Sequence, residues 1–131
     1  MMRFRLKIDP PTATAQMQAK SKIFGALQQY IPEEPLKGPL FMSVIWNFPT
    51  NNSNRINGEW MDAKPNINSL QQILKDCMTQ AGFLDDDAQV VFEVVQKHLV
   101  KYSPCILVNL MTVKEYEEQI WRRADEAETG V

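Results

Sequence analysis

Polar and apolar residues alternate at the start of the chain, where residues 3–8 read Arg, Phe, Arg, Leu, Lys, Ile. A period of two is typical of a β-strand with one buried face. Pro10 and Pro11 end this strand, because proline cannot donate to a β-ladder. Residues 15–31 then predict a helix, and residues 39–48, rich in aromatic and β-branched side chains, predict a second strand.

From Asn68 onward the apolar period changes to that of a helix. The apolar positions recur mostly every three or four residues, which places them on one helical face: Leu70, Ile73, Leu74, Cys77, Met78 and Ala81. Gly82 is placed to end this helix in the left-handed conformation. Asn66, Asn68 and Ser69 are each candidates for the N-cap, because a short side-chain oxygen can accept a backbone N–H there.

Two further strands and a last helix follow. Residues 88–100 and 104–111 are rich in Val, Ile and Leu and predict strands. Thr112 followed by Glu115 is a capping-box signature. A helix is therefore predicted over about residues 112–128, and we expect its acidic end to fray.

The predicted order is strand, helix, strand, loop, helix, strand, strand, helix. This order indicates an α+β fold with a small mixed β-sheet packed with helices. The length indicates a single domain over residues 1–131. Residues 49–65 form a long polar loop with the turn signal Asn57-Gly58, and such loops usually serve a purpose or are mobile. The apolar run 90–95 alternates little, which is compatible with burial of a strand on both faces.

The composition is that of an ordinary globular protein, with 44% hydrophobic and 23% charged residues. The sequence contains no membrane-spanning apolar run and no secretory signal, so we expect a cytoplasmic protein. Cys77 and Cys105 lie in apolar stretches without CxxC spacing, which predicts two buried, reduced thiols. His98 is the single histidine, and we expect it to be a packing or surface residue rather than a metal ligand.

The charge is unevenly distributed along the chain. The net charge of −2 and the pI of about 5.4 argue against a strong nonspecific nucleic-acid binder. Residues 101–131 carry four basic and six acidic side chains, whereas the first forty residues carry six basic and three acidic ones. A local basic face could therefore come from the first third of the chain: Arg3, Arg5, Lys7, Lys20, Lys22 and Lys37.

Polar side chains gather at the start of the central helix and before the strand that follows it. Metal-assisted phosphodiester cleavage needs hard oxygen ligands for Mg²⁺, normally carboxylates and water. A lysine one helical turn later can stabilise the charge that builds on the phosphate. The spacing of such a site is present, but Asn66, Asn68 and Gln72 stand where two aspartates and the lysine would be. Asp86 and Asp87 supply an acidic edge.

The segment KPNINSLQQILKDCMTQAGFLDDDAQVV, residues 64–91, resembles the central segment of the RusA-type Holliday-junction resolvases, especially their phage and prophage members. The pattern of that family runs K-P-D-x-D-N-L-x-K, then an amphipathic helix, then G-F, then D-D-x-Q-V. The segments PPTATAQ, VIWNFP and GEW also fit the family. The resemblance therefore covers residues 3 to about 112.

This resemblance implies a small homodimeric endodeoxyribonuclease of DNA recombination and repair. Such enzymes bind four-way DNA junctions and use Mg²⁺ to nick two strands symmetrically. Carried over position by position, the catalytic residues are Asn66, Asn68, Gln72 and Asp87, and the metal ligands are Asn66, Asn68, Asp86 and Asp87. In addition, Ser69 stands where the family usually has Asn.

Two carboxylates and one cation of the family pattern are neutral in this chain, which predicts a nuclease fold with weak or lost activity. Physical chemistry least favours a third interpretation, in which the protein is fully active and the amides and Asp87 hold the metal. Whether the amides are natural or engineered stays open.

The candidate phosphate contacts are Lys20, Lys22, Lys64 and Lys75, and a solvated surface role is at least as good an interpretation for each. The alternative function is a structural or regulatory dimer that no longer uses DNA. The acidic pI and the acidic tail favour this alternative.

Overall fold

The computed structural model describes residues 1–12 and 16–128, and only the backbone of Gln16 and of residues 125–128. Its helices and strands are β1 (Met2–Leu6), α1 (Gln16–Leu27), β2 (Leu40–Pro49), α2 (Ile67–Ala81), β3 (Val90–Val100), β4 (Cys105–Thr112) and α3 (Val113–Glu128). This succession confirms the predicted order of elements. Residues 13–15 of PPTATAQ and the chain end at 129–131, where fraying was expected, lie outside the described residues.

The four strands form one mixed sheet in the order β1-β4-β2-β3. β4 runs antiparallel to both β1 and β2, whereas β2 and β3 are parallel. The α+β prediction is therefore confirmed. Helices α1 and α2 pack together over one face of the sheet, and their apolar sides bury the inward side chains of the strands: Phe4, Leu6, Met42, Val44, Trp46, Ile106, Val108 and Leu110.

The opposite face of the sheet is covered at one end by α3. The rings of Phe41 on β2 and Tyr116 on α3 stack with their centroids 4.5 Å apart. Phe92 on β3 meets the ring of Tyr116 edge-on at 5.0 Å. Further along α3, Ile120 and Trp121 are exposed.

The prediction that the apolar run of β3 is buried on both faces is wrong. β3 lies at the edge of the sheet, and Val91 is 64% exposed while Phe92 and Val94 are each 39% exposed. The run resembles a central strand because the sequence records only how apolar a segment is. Its position at the edge follows from the pairing of β2 with β4 on its other side.

The predicted end of β1 at Ile8 is also two residues too late. Leu6 pairs with Ile106, and β4 begins at Cys105, so the ladder ends there. Strand length is set jointly by both partners, and the alternation of one strand cannot show where the other begins.

The predicted C-cap of α2, the capping box of α3 and the buried thiols are confirmed, whereas the predicted side-chain hydrogen bond at the N-cap of α2 is not found among the described residues. Gly82 ends α2 with a φ of 99°, and its N–H donates to the carbonyl oxygens of Met78 and Thr79. At the start of α3, the N–H of Glu115 donates to Oγ1 of Thr112 at 3.1 Å. Both cysteines are free and buried. Among the described helices, none is long and apolar enough to cross a membrane.

Candidate functional site

The start of α2 is held by a lysine from the neighbouring strand. Nζ of Lys97 donates to the carbonyl oxygens of Ala63, at 2.6 Å, and of Pro65, at 2.8 Å. Asn66 is the N-cap residue by its extended backbone, but in the described chain its side chain makes no capping hydrogen bond. The first N–H groups of an α-helix have no partner within the helix, and this amide does not supply one at the start of α2.

One face of α2 carries a row of polar side chains. Asn68, Gln72 and Asp76 follow each other at intervals of four residues, the spacing that places side chains on one helical face. Nε2 of Gln72 donates to Oδ1 of Asp76 at 2.7 Å and to Oδ2 of Asp87 at 3.2 Å. The structure thus brings together Gln72 and Asp87, two of the residues proposed from the sequence, and adds Asp76.

The three consecutive acids before β3 have three different environments. Asp85 pairs with Nζ of Lys37 at 2.6 Å. Asp86 caps a short 3₁₀ turn, because its Oδ1 accepts from the N–H of Ala88 at 2.9 Å. Asp87 is joined to α2 by a hydrogen bond, which its Oδ2 accepts from Nε2 of Gln72 at 3.2 Å. Asp86 therefore has a structural role in the turn that presents Asp87.

Asn66 and Asn68 line two neighbouring cavities. The first has a volume of about 210 Å³ and includes Lys64, Asn66 and Ser69 among its lining residues. The second has a volume of about 330 Å³ and includes Asn68, Gln72 and Asp76. Ser69 lines both, so the two cavities meet at the first turn of α2. None of the described hydrogen bonds joins either asparagine to Asp87.

Two of the four candidate lysines are engaged in ion pairs. Nζ of Lys20 lies 3.5 Å from Oδ2 of Asp76. Nζ of Lys75 lies 3.2 Å from Oε2 of Glu93, and the side chain of Lys75 is only 19% exposed. Lys75 is therefore poorly placed to reach a phosphate without first leaving Glu93.

The other two candidate lysines are exposed and line cavities near the start of α2. Lys64 borders the cavity that contains Asn66. Lys22 on α1 borders a further cavity of about 220 Å³ with Pro11 and Thr12, and these two residues also line the Asn66 cavity. Neither lysine forms an ion pair within the part of the chain that the structure describes.

A polar network centred on the buried Gln71 was missed in the sequence analysis. Gln71 is 2% exposed and accepts from Nε1 of Trp46 at 2.7 Å, while its Nε2 donates to Oε2 of Glu93 at 3.0 Å. The available signal was a glutamine in a helix position between two apolar residues of the buried face. Asp76 was also missed, although its spacing of four from Gln72 was visible.

The residues present do not fit a Mg²⁺ site of the kind that the spacing suggested. Mg²⁺ prefers an octahedron of hard oxygens with at least one or two carboxylates. Here Asp76 and Asp87 both accept from the amide N–H groups of Gln72, so an amide donor lies between them. The described residues contain no group of three or more Asp, Glu, His or Cys side chains that could hold a metal ion.

Comparison with known proteins identifies a family to which the chain is similar. A family model described as endodeoxyribonuclease RusA matches residues 8–111, which is most of the chain. No curated protein matches the chain at a significant level.

Proposed function

Since the chain belongs to the RusA family of endodeoxyribonucleases, the Holliday-junction resolvases, we propose that it binds four-way DNA junctions with a disabled cleavage site. The matched range includes the start of α2 and the turn before β3, the two segments to which the resemblance assigns the family motif. The disabled cleavage site is supported by the contact of Gln72 with Asp76 and Asp87. A neutral amide there takes the place of the family's lysine.

Cleavage is weak or lost because the site lacks charge. Resolvases of this family generally depend on a divalent metal, and the resemblance implies that Asn66 and Asn68 stand in place of two of their aspartates. An amide oxygen offers a dipole where Mg²⁺ needs a full charge. The loss of two carboxylates lowers metal occupancy or rate on the order of 10³-fold.

The loss of the cation at position 72 has a separate effect. A lysine could stabilise negative charge on the phosphate in the transition state, whereas Gln72 directs its N–H groups to Asp76 and Asp87. Both hydrogen bonds would have to break before this amide could face a phosphate. The site therefore lacks both the metal ligands and the cation that could stabilise negative charge on the phosphate.

Binding can survive these substitutions. The N-terminus of α2 is the positive end of the helix dipole and favours anions. With amides at Asn66 and Asn68, this end no longer carries carboxylates that would repel a DNA phosphate. Lys22 and Lys64 border the adjoining cavities and are exposed. We assign phosphate contacts to these two lysines in preference to Lys20 and Lys75, which are ion-paired.

The active unit is a homodimer of single-domain subunits. A four-way junction offers two equivalent strands, and a two-fold dimer presents the same surface to each. The exposed apolar side chains Val91, Phe92 and Val94 on the edge strand support a contact between copies.

The test is a cleavage and binding assay on a synthetic four-way junction with Mg²⁺ and then Mn²⁺. The protein is compared with the triple variant Asn66→Asp, Asn68→Asp, Gln72→Lys. We expect the protein to shift the junction in a gel without nicking it, and the triple variant to nick it. Paired nicks from the unchanged protein would overturn the charge argument, and no gain in the variant would overturn the assignment of these positions.

The alternative is a structural or regulatory dimer that does not use DNA. The pI of about 5.4 favours it, together with the exposed Ile120 and Trp121 on α3. A protein that self-associates in sedimentation but binds junction and duplex equally weakly would support this alternative.

A further inference from the structure

Trp60 is an exposed aromatic residue six positions before Asn66, the N-cap of α2. Its side chain is 68% exposed, although indole is among the most costly side chains to leave in water. The indole lies against the imidazole of His98 in a tilted arrangement, with ring centroids 4.3 Å apart and an angle of 33° between the planes. One face of the indole is thus supported by His98, while most of its surface remains accessible.

The segment that carries Trp60 is fixed to the outer edge of β3. The N–H of Gly58 donates to the carbonyl oxygen of Leu99 at 2.7 Å, and the N–H of Leu99 donates to that of Glu59 at 2.8 Å. Directly after Trp60, the N–H of Met61 donates to the carbonyl oxygen of Lys97 at 3.1 Å. These bonds flank Trp60 on both sides, so its backbone has the order of a strand rather than of a free loop.

Lys97 on β3 connects the segment that carries Trp60 to the candidate site. Lys97 accepts from Met61 through its backbone and donates through its side chain to Ala63 and Pro65. Pro65 immediately precedes Asn66, the N-cap of α2. The position of the indole is therefore fixed relative to the start of α2 through Lys97.

The charge of the segment around Trp60 does not indicate which ligand it would attract. Residues 50–66 carry two basic side chains, Arg55 and Lys64, and two acidic ones, Glu59 and Asp62. Moreover, Arg55 lies 3.4 Å from Glu59 and is partly neutralised by it. The distinctive group that the segment presents is the open π-face of an aromatic ring.

We propose that Trp60 is a stacking platform for an unpaired base at the branch point of DNA. The inference rests on the proposed function, binding of branched DNA, and adds the residue that distinguishes a branch from plain duplex. Bases within a duplex are already stacked on their neighbours and offer no free face. A base at a branch can leave its stack, and stacking on an aromatic side chain tolerates any sequence.

His98 is a positioning residue for this platform. Its Nδ1 lies 2.9 Å from the carbonyl oxygen of Gly58, and its Nε2 lies 2.9 Å from Oε1 of Gln96. A neutral imidazole carries one N–H and can donate to one of these two oxygens, and this bond helps to fix the plane of the ring against which Trp60 lies. Replacing His98 by Phe keeps a flat support, whereas replacing it by Ala removes the support.

The test measures affinity for a four-way junction and for a duplex of the same arm sequence by fluorescence anisotropy. Trp60→Ala is compared with Trp60→Phe and with Trp121→Ala, a matched control because Trp121 is 69% exposed. We expect Trp60→Ala to weaken junction binding on the order of tenfold or more and to leave duplex binding within twofold. Trp60→Phe and His98→Phe should retain most of the junction affinity. The junction affinity of His98→Ala should lie between that of the unchanged protein and that of Trp60→Ala.

A second readout places 2-aminopurine at the branch point. Stacking on Trp60 should quench its emission in the complex with the unchanged protein, and Trp60→Ala should relieve that quenching. Equal losses for junction and duplex, or a junction affinity unchanged within twofold, would overturn the platform while leaving branched-DNA binding intact. A change in self-association with Trp60→Ala would show instead that a second copy covers the indole. Failure of the unchanged protein to bind the junction at all would overturn both proposals.

Discussion

The side-chain amide of Gln72 donates to Oδ2 of Asp87 across 3.2 Å, and this bond joins α2 to the turn before β3. The resemblance to the RusA family implies a lysine and an aspartate at these positions. If that correspondence holds, the fold brings the two positions together, although one of the two charges is absent. The same amide also bonds Asp76, so two carboxylates share one neutral donor.

Gln72→Lys alone should strengthen the fold slightly without restoring cleavage. The new ammonium would lie between Asp76 and Asp87 and would replace neutral hydrogen bonds by ion pairs, which contribute about 0–1 kcal/mol on a surface. The metal ligands would still be lacking, since both asparagines remain. Thermal unfolding and a junction cleavage assay check the two parts. Gln80→Lys on the same helix is the control, and junction nicking by Gln72→Lys alone would contradict the expectation.

Gln71→Leu should lower the free energy of unfolding by about 1–3 kcal/mol. The substitution leaves Nε1 of Trp46 and the carboxylate of Glu93 without the partner that Gln71 provides at 2.7 and 3.0 Å. Urea unfolding measures the change. The matched control is Gln80→Leu, because Gln80 is exposed on the same helix and its replacement removes no buried partner. Equal effects of the two changes would show that the network adds no stability.

Two glycine-to-alanine substitutions should act in opposite directions. Gly82 ends α2 at a φ of 99°, where a side chain is strained, so Gly82→Ala should cost about 1–2 kcal/mol. Gly25 lies inside α1 with no atom within 4 Å of an added Cβ, so Gly25→Ala should add about 0.5–1 kcal/mol. Chemical denaturation of both variants provides the measurement. The same sign for both would contradict the role of Gly82 as a left-handed cap.

Lys22→Ala and Lys64→Ala should each reduce the salt dependence of junction binding. If each lysine neutralises one phosphate, the slope of log K against log salt falls by about one per lysine. Affinity measured at several salt concentrations gives the slope. Lys114→Ala on α3 serves as control, because Lys114 is an exposed lysine on the helix that covers the opposite sheet face. An unchanged slope for both variants would place the DNA elsewhere on the surface.

Glu115 should make stability depend on pH in the acidic range. A hydrogen bond from the N-terminal ammonium, 2.8 Å away, holds the pKa of Glu115 below its ordinary value. A lowered pKa in the folded state means that the contribution is present above the ordinary pKa of about 4.3 and is lost as pH falls through the lower folded value.

Glu115→Gln isolates this effect, because glutamine can keep the capping box with Thr112 while removing the charge. The difference in unfolding free energy between the protein and this variant should be present at pH 6 and shrink below about pH 4. We expect a small difference, since the carboxylate is 36% exposed. A difference that grows on acidification would contradict the sign.

The local features of the fold were determined by the sequence. The apolar period of α2, the left-handed Gly82 and the box formed by Thr112 and Glu115 are all set by interactions over a few residues, and each is found as predicted. The order of the elements and the α+β class followed from the same local patterns. The spacing of the motif likewise identified the segment that the family model matches.

Tertiary structure alone decided which residues meet across the fold. Three features depend on strand order and on residues distant in sequence: the exposed edge position of Val91, the contact of Gln72 with Asp87 and the contact of Trp60 with His98. Local period shows that a segment is apolar or helical, but burial and contact depend on which element packs beside it. The charge at each position could be read from the chain, whereas the partner of each charge could not.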